Sequence, residues 1–239
     1  MKDFAAEREL VAAACRVLAA RGLAPGFLGH VSLRVDPWRL LIRCRGPHER
    51  GLAWTTAADV RLVHLDGSTA ARGELDGWSV PHELPLHTGI LRVRPEVSAV
   101  VHAHPEDVVA ADLAGLAIRP IVGALDIPGA RLAAGGVPVY PRSVLIRTPA
   151  LAAEMAAVLG DRPVVLLRGH GLTSAARSVP EAVLQALSVD RLARLTLAVA
   201  SAGGVPRDLP AEDLAELPDL GAGLNTEIAW RHELARLDD

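Results

Sequence analysis

The fold class predicted by this 239-residue sequence is a single α/β domain with a central, largely antiparallel sheet flanked by helices. Three observations predict it. Short apolar segments follow one another closely in the first third of the chain, the spacing of antiparallel neighbours. Later segments of helical period separate further extended runs. No internal repeat or low-complexity linker divides the chain, so residues 1–239 read as one domain.

The elements follow in order. Phe4 to Arg21 carries Leu10, Val11, Ala14, Val17 and Leu18 at helical spacing, and Gly22 supplies a stop. Val31–Val35 alternates, Leu40–Cys44 is nearly continuous, and Val60–Leu65 alternates before a turn at Asp66-Gly67. Around Glu83 to Arg94 the period becomes helical, with Leu84, His87, Ile90 and Leu91 on one side. Val97–His104 reads as a buried strand, and Pro105 opens a helix running to Leu113. A short extended piece at Val137–Tyr140 precedes a helix over Ala150–Leu159. Pro163–Arg168 is a second interior strand, ending at Gly169-His170-Gly171. Ser178 caps a long helix from Val179 to about Ala202, with Pro180 and Glu181 in its first turn. A Pro/Leu/Asp/Gly-rich stretch leads to a final helix over roughly Asn225–Leu237.

Composition narrows the function classes. Half the residues are apolar but only 3% are aromatic, so the core must be built from Ala, Val and Leu. The net charge of −3 comes from intermixed charges without a basic stripe, which argues against nucleic acid. The acidic N-terminus does not resemble a signal peptide. No uncharged run reaches the roughly 20 residues of a membrane span. Val108–Val122 comes nearest, interrupted by Asp112 and Arg119. Cys15 and Cys44 form no Cys-x-x-Cys pair and imply no disulfide framework. A cytoplasmic protein is the expectation.

Three of the nine histidines stand in a distinctive context. His102 and His104 lie two apart at the end of an apolar strand, so the strand period sends both imidazoles to one face. His170 is expected at the corresponding place on another strand, flanked by glycines that allow close backbone approach. Three imidazoles with open positions suit a catalytic divalent ion, with zinc, manganese, iron and cobalt all compatible. A pair of hydrogen-bonded histidines at a strand end is the alternative for His-x-His alone. The Gly-His-Gly run after a second buried strand favours the metal. His48 and His64 read as surface or loop groups.

Four segments carry a resemblance: Gly29-His-Val-Ser-Leu-Arg34, Glu83-Leu-Pro-Leu-His87, Val101-His-Ala-His104 and Leu167-Arg-Gly-His-Gly171. In order and spacing they resemble the class II aldolase/adducin superfamily, from about residue 7 to about residue 200. The resemblance implies a single α/β domain, commonly a homotetramer with sites at subunit boundaries. It implies His102, His104 and His170 as metal ligands and Glu83 as catalytic acid/base or fourth ligand.

Departures from the family pattern bear on the substrate. His30 stands where sugar-phosphate members carry Asn, Arg43-Cys-Arg-Gly-Pro-His-Glu-Arg50 replaces a hydroxyl-bearing turn, and Pro81-His82 replaces a Ser-Ser pair. A phosphate cradle is therefore not expected. Arg43, Arg45 and Arg50 instead offer planar cations that can clamp a carboxylate bidentately, with His30, Ser32 and His82 as further substrate-binding candidates. The Arg-Gly-Pro-x-Glu-Arg-Gly run and Asn225–His232 resemble the dihydroxyphthalate decarboxylase branch of the superfamily. The expected activity is thus decarboxylation of a hydroxylated aromatic dicarboxylate in aromatic degradation. An aldolase or epimerase acting on a sugar or small hydroxy acid is the alternative, and a non-catalytic adducin-like binding module is the third.

Overall fold

A computed structural model describes residues 3–237. Seven strands form one sheet: β1 (His30–Arg34), β2 (Arg39–Arg43), β3 (Val60–His64), β4 (Ala99–Ala103), β5 (Val139–Tyr140), β6 (Val164–Leu167) and β7 (Gly171–Ala176). Their spatial order is β3-β2-β1-β4-β7-β6-β5. Every pairing is antiparallel except that of β5 with β6. The largely antiparallel sheet expected from the sequence is thus present.

Burial on both faces explains why the central strands read as nearly continuous apolar runs. Val31, Leu41, Val101 and Leu172 point to one face, where they pack with α1 (Ala5–Ala20), α3 (Glu106–Leu113) and α6 (Val179–Ser201). Leu40, Ile42, Val100 and Val165 point to the other, packing with α2 (Leu84–Val93) and α5 (Pro149–Leu159). Helices α1, α2, α5 and α6 lie within about one residue of their predicted bounds at each end. Ser178 caps α6 by accepting the Glu181 N–H at 3.3 Å. Pro105 occupies the N-cap of α3 rather than its first turn.

Among the described strands and α-helices, three were not expected. Strand β7 is Gly-Leu-Thr-Ser-Ala-Ala, too poor in large apolar and β-branched side chains to signal a strand, and it is made one by pairing on both edges. Helix α4 (Ile127–Leu132) is only six residues long, held by Asp126 accepting the Gly129 N–H at 3.0 Å. Helix α7 (Ala211–Glu216) lies in the Pro/Leu/Asp/Gly-rich stretch. The final helix begins as a π-helical turn at Gly223–Ile228 and continues as α8 (Ala229–Ala235). Among the described residues, no helix is long and apolar enough to cross a membrane.

Candidate metal centre

The pairing register builds the site. His30 on β1 sits opposite His102 on β4, so both imidazoles leave the sheet on the α2 face. His102 is fully buried. Glu83 occupies the N-cap of α2, where the helix dipole favours an anion, and the helix aims its carboxylate at the same face. His170 is not on a strand, as the sequence suggested, but in the tight turn between β6 and β7, where its N–H donates to the Leu167 carbonyl at 3.0 Å. That turn approaches β4 so closely that a Cβ at Gly171 would fall 2.2 Å from the Ala103 carbonyl oxygen. Only glycine fits without displacing the backbone, which is how His170 comes beside His104.

One ligand atom from each of Glu83, His102, His104 and His170 lies within 4.8 Å of the other three, an arrangement that could hold a metal ion. The convergence of ligand atoms argues for positive charge there. His102 Nδ1 donates to the Leu172 carbonyl at 3.0 Å, so its Nε2 is the nitrogen left to face the cluster. That Nε2 nevertheless faces His104 Nε2 at 2.9 Å and Glu83 Oε2 at 3.3 Å. His170 Nε2 lies 3.7 Å from the same carboxylate oxygen. Ligand atoms converging at these distances call for positive charge among them, supplied by a proton on an imidazole or by a metal ion.

The carboxylate of the cluster is ionised. Burial pushes the Glu83 carboxyl up, but the His102 hydrogen bond, the charge of His102, the Ile146 N–H and His170 outweigh it, and the net value is lowered to about 2. The Ile146 N–H donates to Glu83 Oε1 at 2.9 Å. Glu83 is therefore an anion at neutral pH, fit for a ligand or base rather than a resting acid. Burial, reinforced by neighbouring imidazoles, lowers His104 to about 3 and depresses His170 as well. Neutral imidazoles and one carboxylate are what a divalent ion needs from this set.

The same shifts predict a pH dependence. A neutral buried imidazole whose folded pKa lies below its unfolded value contributes stability that is present above about pH 6.5 and is lost as pH falls toward the folded value, at about 1.4 kcal/mol per pH unit for each group. His87 and His104, both lowered to about 3, have this sign. The metal-free protein should therefore melt at progressively lower temperature from pH 7 to pH 5. A melting temperature constant across that range would contradict the buried neutral histidines.

The remaining sequence candidates are distributed unevenly. His30 is buried and stands beside the cluster, its Nε2 3.9 Å from Glu83 Oε2. Ser32 is fully buried and bonded to His87 at 2.7 Å, so it stands behind the site rather than on its substrate-facing side. His82 is exposed. Arg43 is buried and ion-paired with Glu49, while its Nε has no hydrogen-bond partner among the described residues. Arg43 and Arg50 line a cleft of about 230 Å³ with Trp54 and Trp78, and the Arg50 guanidinium lies 6.0 Å from the Trp54 ring. Arg45 pairs through its backbone with Ser79, joining this segment to the one that leads into Glu83. The functional neighbour the sequence reading passed over is His87. Its position four residues after Glu83, on the same face of one helical turn, is the signal that could have placed it.

The fold and the cluster together define a three-layer α/β protein with a cluster of three histidines and one carboxylate at the end of its central strands. This chain belongs to the class II aldolase and adducin family: residues 9–197 match the model described as the Class II Aldolase and Adducin N-terminal domain. It is 72% identical to the 3,4-dihydroxyphthalate decarboxylase of Terrabacter sp. (strain DBF63), covering 98% of both chains. It is 70% identical to the protein of that name from Arthrobacter keyseri, over 98% of this chain and 94% of the relative. An aldolase II superfamily protein from Pseudomonas syringae superposes with a TM-score of 0.81 at 23% identity, covering 100% of this chain and 94% of that one. That likeness shows the fold.

Proposed function

We propose that this chain is a divalent-metal-dependent carbon–carbon lyase that removes CO₂ from a hydroxylated aromatic dicarboxylate, 3,4-dihydroxyphthalate or a close relative, in aromatic degradation. The observation that carries the proposal is its near-full-length similarity to decarboxylases of that name. The site is chemically suited to the reaction. His102, His104 and His170 would hold the ion, which when bound supplies Lewis-acid stabilisation of negative charge developing on a substrate oxygen. The anionic Glu83 takes a phenolic proton and returns it to the ring carbon that bears the departing carboxylate. The ring gains that C–H bond, the carbon–carbon bond breaks, and its electron pair restores aromaticity as CO₂ leaves. Arg43, with one unpartnered buried nitrogen, is the arginine best prepared to receive a carboxylate.

The reading extends to a cytoplasmic homotetramer with zinc, manganese, iron or cobalt as the ion. Leu220, Leu224 and Ile228, exposed along the C-terminal segment, are consistent with burial against another copy.

Incubation of the metal-loaded protein with 3,4-dihydroxyphthalate should release CO₂, whereas sugar phosphates should be neither bound nor cleaved. Arg43→Ala should raise KM, and Arg43→Lys should rescue it only in part, because an ammonium cannot reproduce two parallel hydrogen bonds. Efficient cleavage of a sugar phosphate, with no CO₂ from any hydroxyaromatic acid, would replace this reading with the aldolase.

A further inference from the structure

Beside the cluster runs a hydrogen-bonded chain that the reaction as described does not use. His30 Nδ1 lies 2.7 Å from His87 Nε2, and His87 Nδ1 lies 2.7 Å from Ser32 Oγ. All three residues are buried. Two directions of donation are possible in a chain of neutral imidazoles, and they leave opposite faces of His30 toward the site.

In the first direction the Ser32 hydroxyl donates to His87, and the His87 Nε2–H donates to His30 Nδ1. The proton of His30 then sits on Nε2, facing the Glu83 carboxylate 3.9 Å away. In the second direction His30 donates to His87 and His87 donates to Ser32. That arrangement turns the His30 Nε2 lone pair toward an anion. It also strands the Ser32 hydroxyl hydrogen, since His87 Nδ1 is the partner of this buried oxygen among the described residues. An unmade hydrogen bond in such a place costs roughly 1–3 kcal/mol. Both considerations select the first direction.

We propose that His87, fixed by Ser32, is a positioning residue that locks His30 in its Nε2–H form, so that His30 donates a hydrogen bond to a carboxylate oxygen of the substrate at the edge of the metal cluster. The substrate named here rests on the decarboxylase reading. The tautomer does not. The bond to a carboxylate is present before any bond breaks, so its loss weakens binding more than turnover.

The test uses the full-length protein labelled with ¹⁵N-histidine, both metal-free and zinc-loaded. Long-range ¹H–¹⁵N correlation spectra should show His30, assigned by the signal missing in His30→Gln, protonated at Nε2 and bare at Nδ1. In His87→Phe, which keeps the ring volume but removes both hydrogen bonds, that preference should give way to a mixture of tautomers while zinc stoichiometry stays unchanged. Ser32→Ala, a smaller change should His87→Phe fail to fold, should act in the same direction. In either variant KM for 3,4-dihydroxyphthalate should rise about tenfold, the worth of one hydrogen bond, with kcat little altered. A wild-type His30 protonated at Nδ1 would overturn the proposal. So would variants that leave both tautomer and KM unchanged. A wild type that releases no CO₂ yet shows the Nε2–H form would count against the decarboxylase reading and in favour of the positioning role.

Discussion

His104→Ala should leave a folded protein that no longer retains a divalent ion and turns over almost no substrate. Its imidazole is one of three nitrogens converging within the cluster, and it is the one nearest to His102, at 2.9 Å. Loss of a group that merely supports a ligand costs about 10–100-fold in affinity or activity, and loss of the ligand itself should exceed that. His104 is the cleanest position for the experiment because it is only partly buried, so truncation leaves no sealed cavity. His102 is fully buried in a central strand, and His102→Ala would add a packing defect to the loss of the nitrogen. His170→Ala should behave like His104→Ala. The measurement is the metal-to-protein ratio after dialysis, with the melting curve as the control for folding. Full occupancy in any of these variants would exclude that histidine as a ligand.

Glu83→Gln should cut turnover by roughly 10²–10⁴-fold, the usual range for removing a proton-transfer group. The amide preserves the shape of the side chain and can still accept the Ile146 N–H, so the N-terminus of α2 should hold its place. What it removes is the negative charge that His102 and His170 face at 3.3 and 3.7 Å. Metal content then separates two roles. Retention of the ion with slow turnover would mark Glu83 as the proton carrier, and loss of ion and turnover together would mark it as the fourth ligand. Turnover at the wild-type level would refute both.

The residues of the centre were largely legible beforehand because two of them obey a local rule. His-x-His at a strand end is expected to share a face, and the Nε2 atoms of His102 and His104 do come within 2.9 Å, although His104 lies just past the end of β4. Elements with strong period or caps were equally plain: α6 announces itself by Ser178, Pro180 and Glu181. His87 stood in a motif, four residues after Glu83, but was given no role. On a helix face rich in Leu and Ile, that spacing alone does not separate a packed ring from one bonded to a neighbour of the cluster. Its role depends on β1, more than fifty residues earlier in the chain.

Sequence by itself determined the fold class and the nearly continuous apolar strands, which follow from periods of a few residues, and it singled out His102, His104 and His170 as candidate metal ligands. Tertiary structure alone decided the rest. It made a strand of Gly171–Ala176, whose own side chains argue weakly for one, because neighbours on both sides satisfy its backbone. It moved His170 from a strand to a turn and set it against β4, at a contact only a missing Cβ permits. It buried Arg43 against Glu49 while leaving Arg50 exposed, a division among three similar arginines that no local pattern encodes. Through the pairing of β1 with β4, it also brought His30 next to His102 and Glu83. The physical reason is common to all four. Distances between residues far apart in the chain are set by which surfaces bury each other, and that is a property of the packed whole.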